Sequence, residues 1–173
     1  MARQHADTDG ALMLGDAETT AQRDDSAEQI RPAEAVNDGV EIQTTTGTVL
    51  LMDDNAAIRE VVGNILASAG YRVLPATNGH EAIALYSEYL AQGKAVDCLI
   101  LDLSIPRGMG GKNTMEAILR LNPRAKGIVS SGHTADPVVT DYQKHGFAAA
   151  INKPFKMEEL LAVVHRVLAA KPD

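Results

Sequence analysis

The chain has 173 residues, of which 45% are hydrophobic, and a formal net charge of −7. This length suits one globular domain with an additional segment, because single domains most often contain roughly 100–150 residues. No apolar run reaches the roughly 18 residues that span a bilayer, no apolar signal core follows the N-terminus, and a single cysteine, Cys98, excludes an internal disulfide framework.

The negative charge is concentrated in the first 47 residues, which hold ten acidic and three basic side chains, whereas residues 48–173 hold thirteen of each. Few large apolar residues occur before Thr48. We therefore predict that residues 1–46 form an acidic, mostly disordered tail or linker, with at most a short helix near residues 11–14. Residues 47–173 are predicted to form one domain, and its balanced charge argues against a nucleic-acid partner. The lack of a long apolar run predicts a cytoplasmic chain with no membrane partner for this segment.

From Thr48 onward, short apolar runs alternate with amphipathic stretches. The runs that predict buried strands are TVLLMD, YRVLPA, DCLILD, KGIVSS and FAAAIN, at residues 48–53, 71–76, 97–102, 126–131 and 147–152. The stretches that predict helices are residues 57–70, 80–90, 113–121, 136–146 and 157–170. Gly70 is expected to close the first helix, Thr77 or Asn78 to cap the second, and Asp136 to cap the fourth. This alternation predicts an α/β fold: a doubly wound five-stranded parallel sheet, flavodoxin-like in order 2-1-3-4-5, with five helices.

Two predictions concern the core. Cys98 is expected to be a small core residue of the third strand. In the last helix, Met157, Leu160, Leu161 and Val164 follow helical spacing and are expected to face the core.

Charged residues stand where the predicted strands end. Asp53 and Asp54 close the first strand, Asp102 the third and Lys153 the fifth. A lone Asp at such a position is most often a helix cap, but three carboxylates in one crevice repel one another and need a proton or a cation. Mg²⁺ is the simplest solution, since it is a hard ion that takes oxygen ligands.

With a metal present, Asp102 could attack phosphorus and form an aspartyl phosphate. Such a transfer depends mainly on in-line positioning and charge neutralisation. The Lys153 ammonium could neutralise one side of the phosphoryl group, and the Ser131 hydroxyl could donate to a phosphoryl oxygen. Alternatively, Lys153 has no role in the chemistry and is an ordinary solvent-exposed lysine.

The segments LLMDDN, ILDLSIP, SSGH and INKPF resemble the signature blocks of receiver domains in two-component response regulators, in the same order over about 120 residues. The resemblance implies that Asp102 accepts a phosphoryl group from a histidine kinase or a histidine phosphotransfer protein, for readout by a downstream partner protein. It also implies a Mg²⁺ site formed by Asp53, Asp54, Asp102 and the backbone carbonyl of Ser104. Ser131 and Lys153 take the family's hydroxyl and lysine positions.

Three features depart from the family pattern or modulate it. Ala150 stands where many receivers have an aromatic switch residue, which puts readout through the face of helix four, strand five and helix five in doubt. His133 borders the site, and its exchange for alanine is expected to alter autodephosphorylation, although an ordinary loop histidine is the simpler interpretation. The segment PRGMGGKNT is glycine-rich and predicts a flexible turn, as in receivers at the C-terminal ends of hybrid sensor histidine kinases; Pro106 and Asn113 do not fit a P-loop.

Other function classes remain open. One is a pseudo-receiver that binds partners without phosphate. Another is an aspartyl-phosphate phosphatase, although such enzymes typically have an acid two residues after the nucleophile, where Ser104 stands. The third is a catalytic kinase fragment, but this sequence contains no nucleotide-binding motif of that kind. We expect no enzyme activity beyond self-phosphorylation and autodephosphorylation. The signalling output is expected to lie in a partner or in another part of a parent chain. Whether the parent is a hybrid kinase or a free-standing regulator stays open.

Overall fold

The computed structural model describes residues 46–170. Strands and helices alternate along this part of the chain. They are β1 Gly47–Met52, α1 Ala56–Ser68, β2 Tyr71–Ala76, α2 Gly79–Ala91, β3 Cys98–Asp102, α3 Gly111–Leu121, β4 Gly127–Ser131, α4 Pro137–Thr140, a 3₁₀ helix Tyr142–His145, β5 Ala149–Asn152 and α5 Met157–Ala169. The predicted tail lies outside the described residues except for its last position, as does the short helix near residues 11–14, and the predicted domain boundary stays a prediction.

The five strands form one parallel sheet in the order β2-β1-β3-β4-β5, which confirms the predicted fold. Each face of the sheet carries its own apolar cluster, because β3 and the last four residues of β1 are buried and alternate residues point to opposite sides. The first cluster contains Val62 and Leu66 of α1 and Leu160 and Val164 of α5. The second includes side chains of α2 and α3. Cys98 is fully buried in the first cluster, as predicted.

Side-chain caps begin three of the helices. The Asn55 carboxamide oxygen accepts hydrogen bonds from two backbone N–H groups of α1. Asn78, rather than Thr77, caps α2 in the same way, and Asp136 caps α4. Gly70 follows the end of α1 with a φ of +86°, a conformation that favours glycine. The capping residues predicted from the sequence are therefore largely confirmed.

The predicted helix at 136–146 was wrong in its extent. The α-helix ends at Thr140, and a separate 3₁₀ turn follows before Gly146 at a φ of +78°. Val138, Val139 and Thr140 are consecutive β-branched residues, which have low helix propensity, so the first turn does not propagate. The core assignment of Met157 was also wrong: it is 50% exposed at the first position of α5, one turn before Leu160 becomes buried.

Two glycines provide a matched test of the packing. At Gly63, inside α1, an added Cβ would meet open space, whereas at Gly110 it would overlap the carbonyl oxygen of Leu103. We predict that Gly63→Ala raises the free energy of unfolding by about 0.5–1 kcal/mol, since alanine is the better helix former. Gly110→Ala should lower it by roughly 1–3 kcal/mol, because backbone must move. Urea denaturation measures both, and equal shifts of one sign would contradict the described packing.

Candidate functional site

The predicted charged residues meet at the carboxyl edge of the sheet. Asp53 follows β1 and Asp102 ends β3, the neighbouring strand. Both are buried, with 2% and 7% of their surface exposed, whereas Asp54 is exposed. Each of the three offers a carboxylate oxygen, and these oxygens lie within 4.8 Å of one another. The structure thus brings together the three acids that the sequence predicted to share a crevice.

Lys153 supplies positive charge to this acidic cluster. Its Nζ donates to Asp53 Oδ2 at 2.5 Å and lies 3.1 Å from Asp102 Oδ2. The lysine side chain is only 18% exposed, so the surrounding water screens these contacts weakly. The cluster of three carboxylates thus has one ammonium, which contacts two of them, and the site retains negative charge that a further cation would offset.

The two buried carboxylates differ in how firmly they are held. The backbone N–H of Asn55 donates to Asp53 Oδ1 at 2.9 Å, and Arg59 Nη1 donates to the Asp53 carbonyl at 2.7 Å. Asp102 Oδ1 accepts only a long bond, 3.5 Å, from the backbone N–H of Ser104. Asp102 therefore keeps an oxygen with little competing hydrogen bonding, as a nucleophile requires.

The pKa of the Asp102 carboxyl is raised above its ordinary value. Burial is the largest cause, because it disfavours the charged form, and the nearby Asp53 carboxylate acts in the same direction. The Lys153 ammonium opposes both effects. The ionised form of Asp102 is therefore destabilised in this pocket, and a bound cation would stabilise it.

Ser131 and His133 are joined to each other at the end of β4. The backbone N–H of His133 donates to Ser131 Oγ at 3.0 Å, and this buried hydroxyl lies 3.4 Å from the His133 carbonyl oxygen. The His133 side chain is exposed. Ala150, half-buried in β5, packs against the second apolar cluster, as does Tyr142 of the 3₁₀ helix. The sequence did not predict the bond between residues 131 and 133.

The glycine-rich segment after β3 forms a turn, as predicted, and its last two glycines are closely packed. An added Cβ on Gly110 or Gly111 would collide with backbone oxygens of Leu103 or Asp102. The backbone N–H of Gly79 also donates to the Met109 carbonyl at 2.8 Å, which ties the segment to α2. These glycines let α3 begin directly against the end of β3, and so they fix the backbone around Asp102.

Ser130 was not among the site residues predicted from the sequence. This residue pairs in register with Asp102, is 2% exposed, and its hydroxyl has no hydrogen-bond partner within residues 46–170. The two serines that end the predicted fourth strand were visible in the sequence, but only the structure shows that the Ser130 hydroxyl is buried without a partner in register with Asp102.

Comparisons with known proteins agree with this geometry. The family model for the response regulator receiver domain matches residues 49–165. The chemotaxis protein CheY of Thermotoga maritima is 32% identical over 120 residues, which cover 69% of this chain and 95% of that protein. The transcriptional regulator NtrC of Salmonella typhimurium is also 32% identical, over 71% of this chain but only 25% of the regulator.

Among solved structures, the chemotaxis response regulator CheY4 of Vibrio cholerae is similar to this chain with a TM-score of 0.61 and 30% identity. The match covers 72% of this chain and 100% of that structure. Within residues 46–170, no helix has the length and apolar character needed to cross a membrane.

Replacing Asp102 tests the electrostatic strain in the site. Because its folded-state pKa is raised, the folded protein loses stability as the pH rises from the ordinary Asp pKa of 3.8 through the raised value. At pH 7 without divalent metal, Asp102→Asn should therefore raise the Tm by roughly 2–6 °C, and the gain should vanish near pH 3. Asp141→Asn, at an exposed surface ion pair, is the matched control and should change little. A lower Tm for Asp102→Asn at pH 7 would contradict the predicted strain.

Proposed function

The chain belongs to the receiver domain family of response regulators, and we propose that Asp102 is the residue on which it carries the phosphoryl group. A receiver domain is the phosphoacceptor module of two-component signalling, and that is the function of this domain. The observation that best supports Asp102 is its position: it is buried between the Lys153 ammonium and a second carboxylate, with one oxygen lightly bonded.

In the proposed reaction, a carboxylate oxygen of Asp102 attacks the phosphorus of a phosphohistidine. The new O–P bond forms as the P–N bond breaks, and the imidazole leaves with the electron pair of that bond. The pocket contributes mainly alignment and charge, because such transfers require little covalent chemistry from the protein. Lys153 holds the carboxylate in place through its 3.1 Å contact and offsets the negative charge that the phosphoryl group brings.

Asp53, Asp54, Asp102 and the backbone carbonyl of Ser104 are proposed to hold Mg²⁺. The residues fit this ion: all donors are oxygens, and the three carboxylate oxygens lie within 4.8 Å of one another. Octahedral coordination at about 2.1 Å brings ligand oxygens to about 3–4 Å from each other, so a modest contraction suffices. When bound, the ion supplies positive charge against the phosphoryl oxygens.

Ser131 is proposed to donate its hydroxyl to a phosphoryl oxygen. Its present contact with the His133 carbonyl is long, 3.4 Å, and is easily exchanged for a charged acceptor. Because the His133 N–H also binds this hydroxyl, rotation of Ser131 would disturb the loop that leads to α4. We propose that this loop transmits the signal, with Ala150 leaving space beneath it, and that His133 limits water access.

An apolar groove beside the site is proposed as the docking surface for the phosphohistidine donor. It is lined by α1 and by the connection from β5 to α5: Ala57, Ile58, Val61, Val62, Lys153, Pro154 and Phe155. Val61 is 58% exposed although it is a large apolar side chain. Because the groove includes Lys153, a donor helix lying in it would bring its histidine to Asp102. A histidine kinase or a histidine phosphotransfer protein, in the cytoplasm, is the proposed donor.

The identity of the acceptor can be tested with a small phosphodonor. The wild-type protein incubated with acetyl phosphate and Mg²⁺ should gain the mass of one phosphoryl group, whereas Asp102→Asn should not. Removal of Mg²⁺ by chelation should abolish the gain. Asp141→Asn, at an exposed ion pair, should behave as the wild type. A wild-type protein that never gains mass with any donor would favour a pseudo-receiver, and rapid turnover of many phosphoesters would favour a phosphatase.

The groove can be tested separately from the chemistry. Val61→Glu should slow phosphorylation by a phosphorylated histidine phosphotransfer domain roughly tenfold or more, because it buries a charge at the contact. Phosphorylation by acetyl phosphate should stay unchanged, since that donor needs no docking surface. Leu121→Glu, at the exposed end of α3, is the matched control and should leave both rates unaltered. Equal slowing by the two variants would argue against the groove.

A further inference from the structure

Ser130 is a polar residue in a place where the fold needs an apolar one. Its neighbours in β4, Ile128 and Val129, belong to the two apolar clusters, and the whole strand is buried. The Ser130 hydroxyl has no hydrogen-bond partner within residues 46–170. A buried hydroxyl without a partner destabilises the folded state, so a purely structural role would favour valine or alanine here.

Strand register places this hydroxyl beside the phosphorylation site. Ser130 pairs with Asp102 on one side and with Ile151 on the other. Register partners in a parallel sheet share a face, and Ile151 faces the cluster beneath α1 and α5. Lys153 follows Ile151 by two positions, and its Nζ reaches both Asp102 on β3 and Asp53 beside β1. Because β4 lies between β5 and β3, a lysine side chain that reaches from the end of β5 to Asp102 passes over the end of β4, where Ser130 pairs with Asp102.

We propose that Ser130 is a positioning residue that acts through Lys153. An ammonium has three N–H donors, and here two of them face Asp53 and Asp102. When those carboxylates bind Mg²⁺ and a phosphoryl group, as the proposed function requires, the Lys153 ammonium turns from the carboxylates toward the phosphoryl oxygens. The Ser130 oxygen, fixed in the strand below, then accepts an N–H and holds the ammonium against the phosphoryl group. This inference rests on the proposed function.

The experiment compares Ser130→Ala and Ser130→Thr with the wild type, using acetyl phosphate and Mg²⁺ and measuring phosphorylation by intact mass. Ser130→Ala should be at least as stable to heat as the wild type but roughly three- to tenfold slower to phosphorylate, the effect of one lost hydrogen bond. Ser130→Thr keeps the hydroxyl and should restore the rate to within about twofold. A merely structural serine would alter the Tm and leave the rate unchanged.

A double-mutant cycle shows whether Ser130 acts through the lysine. In a Lys153→Ala background, Ser130→Ala should have no further effect on the rate. The same loss in both backgrounds, or an Ala variant as fast as the wild type, would overturn the positioning role while leaving Asp102 as acceptor intact. Absence of phosphorylation in the wild type itself would overturn both the proposed function and this role.

Discussion

The site depends on one lysine that holds two buried carboxylates at the edge of the sheet. Lys153 contacts Asp53 and Asp102, which come from positions 49 residues apart in the sequence. Without this ammonium, two buried carboxylates would face each other, which is costly at low dielectric. With it, the site is still short of positive charge, because Asp54 adds a third carboxylate. The proposed affinity for Mg²⁺ and for a phosphoryl group follows from that imbalance.

The pairing of the strands and the packing of α3 fix the positions of Asp53 and Asp102. Parallel strands bring their carboxyl ends to one edge, so Asp53 and Asp102 become neighbours through the pairing of β1 with β3. Gly110 and Gly111 let α3 begin against the backbone of Leu103 and Asp102. Asp53 is fixed by Asn55 and Arg59, whereas Asp102 remains lightly bonded. The pocket thereby distinguishes a structural carboxylate from a reactive one.

Much of this could be predicted from the sequence, because it depends on local patterns. Short apolar runs located the strands, two of them ended in Asp, and the predicted strand order brought these acids together. The break after Thr140 was missed, since it depends on a short β-branched run competing with a helix cap. The packing role of Gly110 and the exposure of Met157 were also missed, because residue periodicity shows neither how tightly the backbone folds back on Leu103 nor where a helix reaches the core. The Ser131–His133 bond is local but depends on how the loop turns, and the place of Ser130 depends on strand pairing, so neither could be predicted from the sequence pattern.

The central claim is that Asp102, and neither of the adjacent acids, carries the phosphoryl group. Borohydride reduces an acyl phosphate to an alcohol, so a phosphorylated aspartate becomes homoserine. The protein should be incubated with acetyl phosphate and Mg²⁺, reduced, digested and sequenced by mass spectrometry. We expect homoserine at position 102 and aspartate at positions 53 and 54. Homoserine at 53 or 54 with an unmodified Asp102 would contradict the assignment.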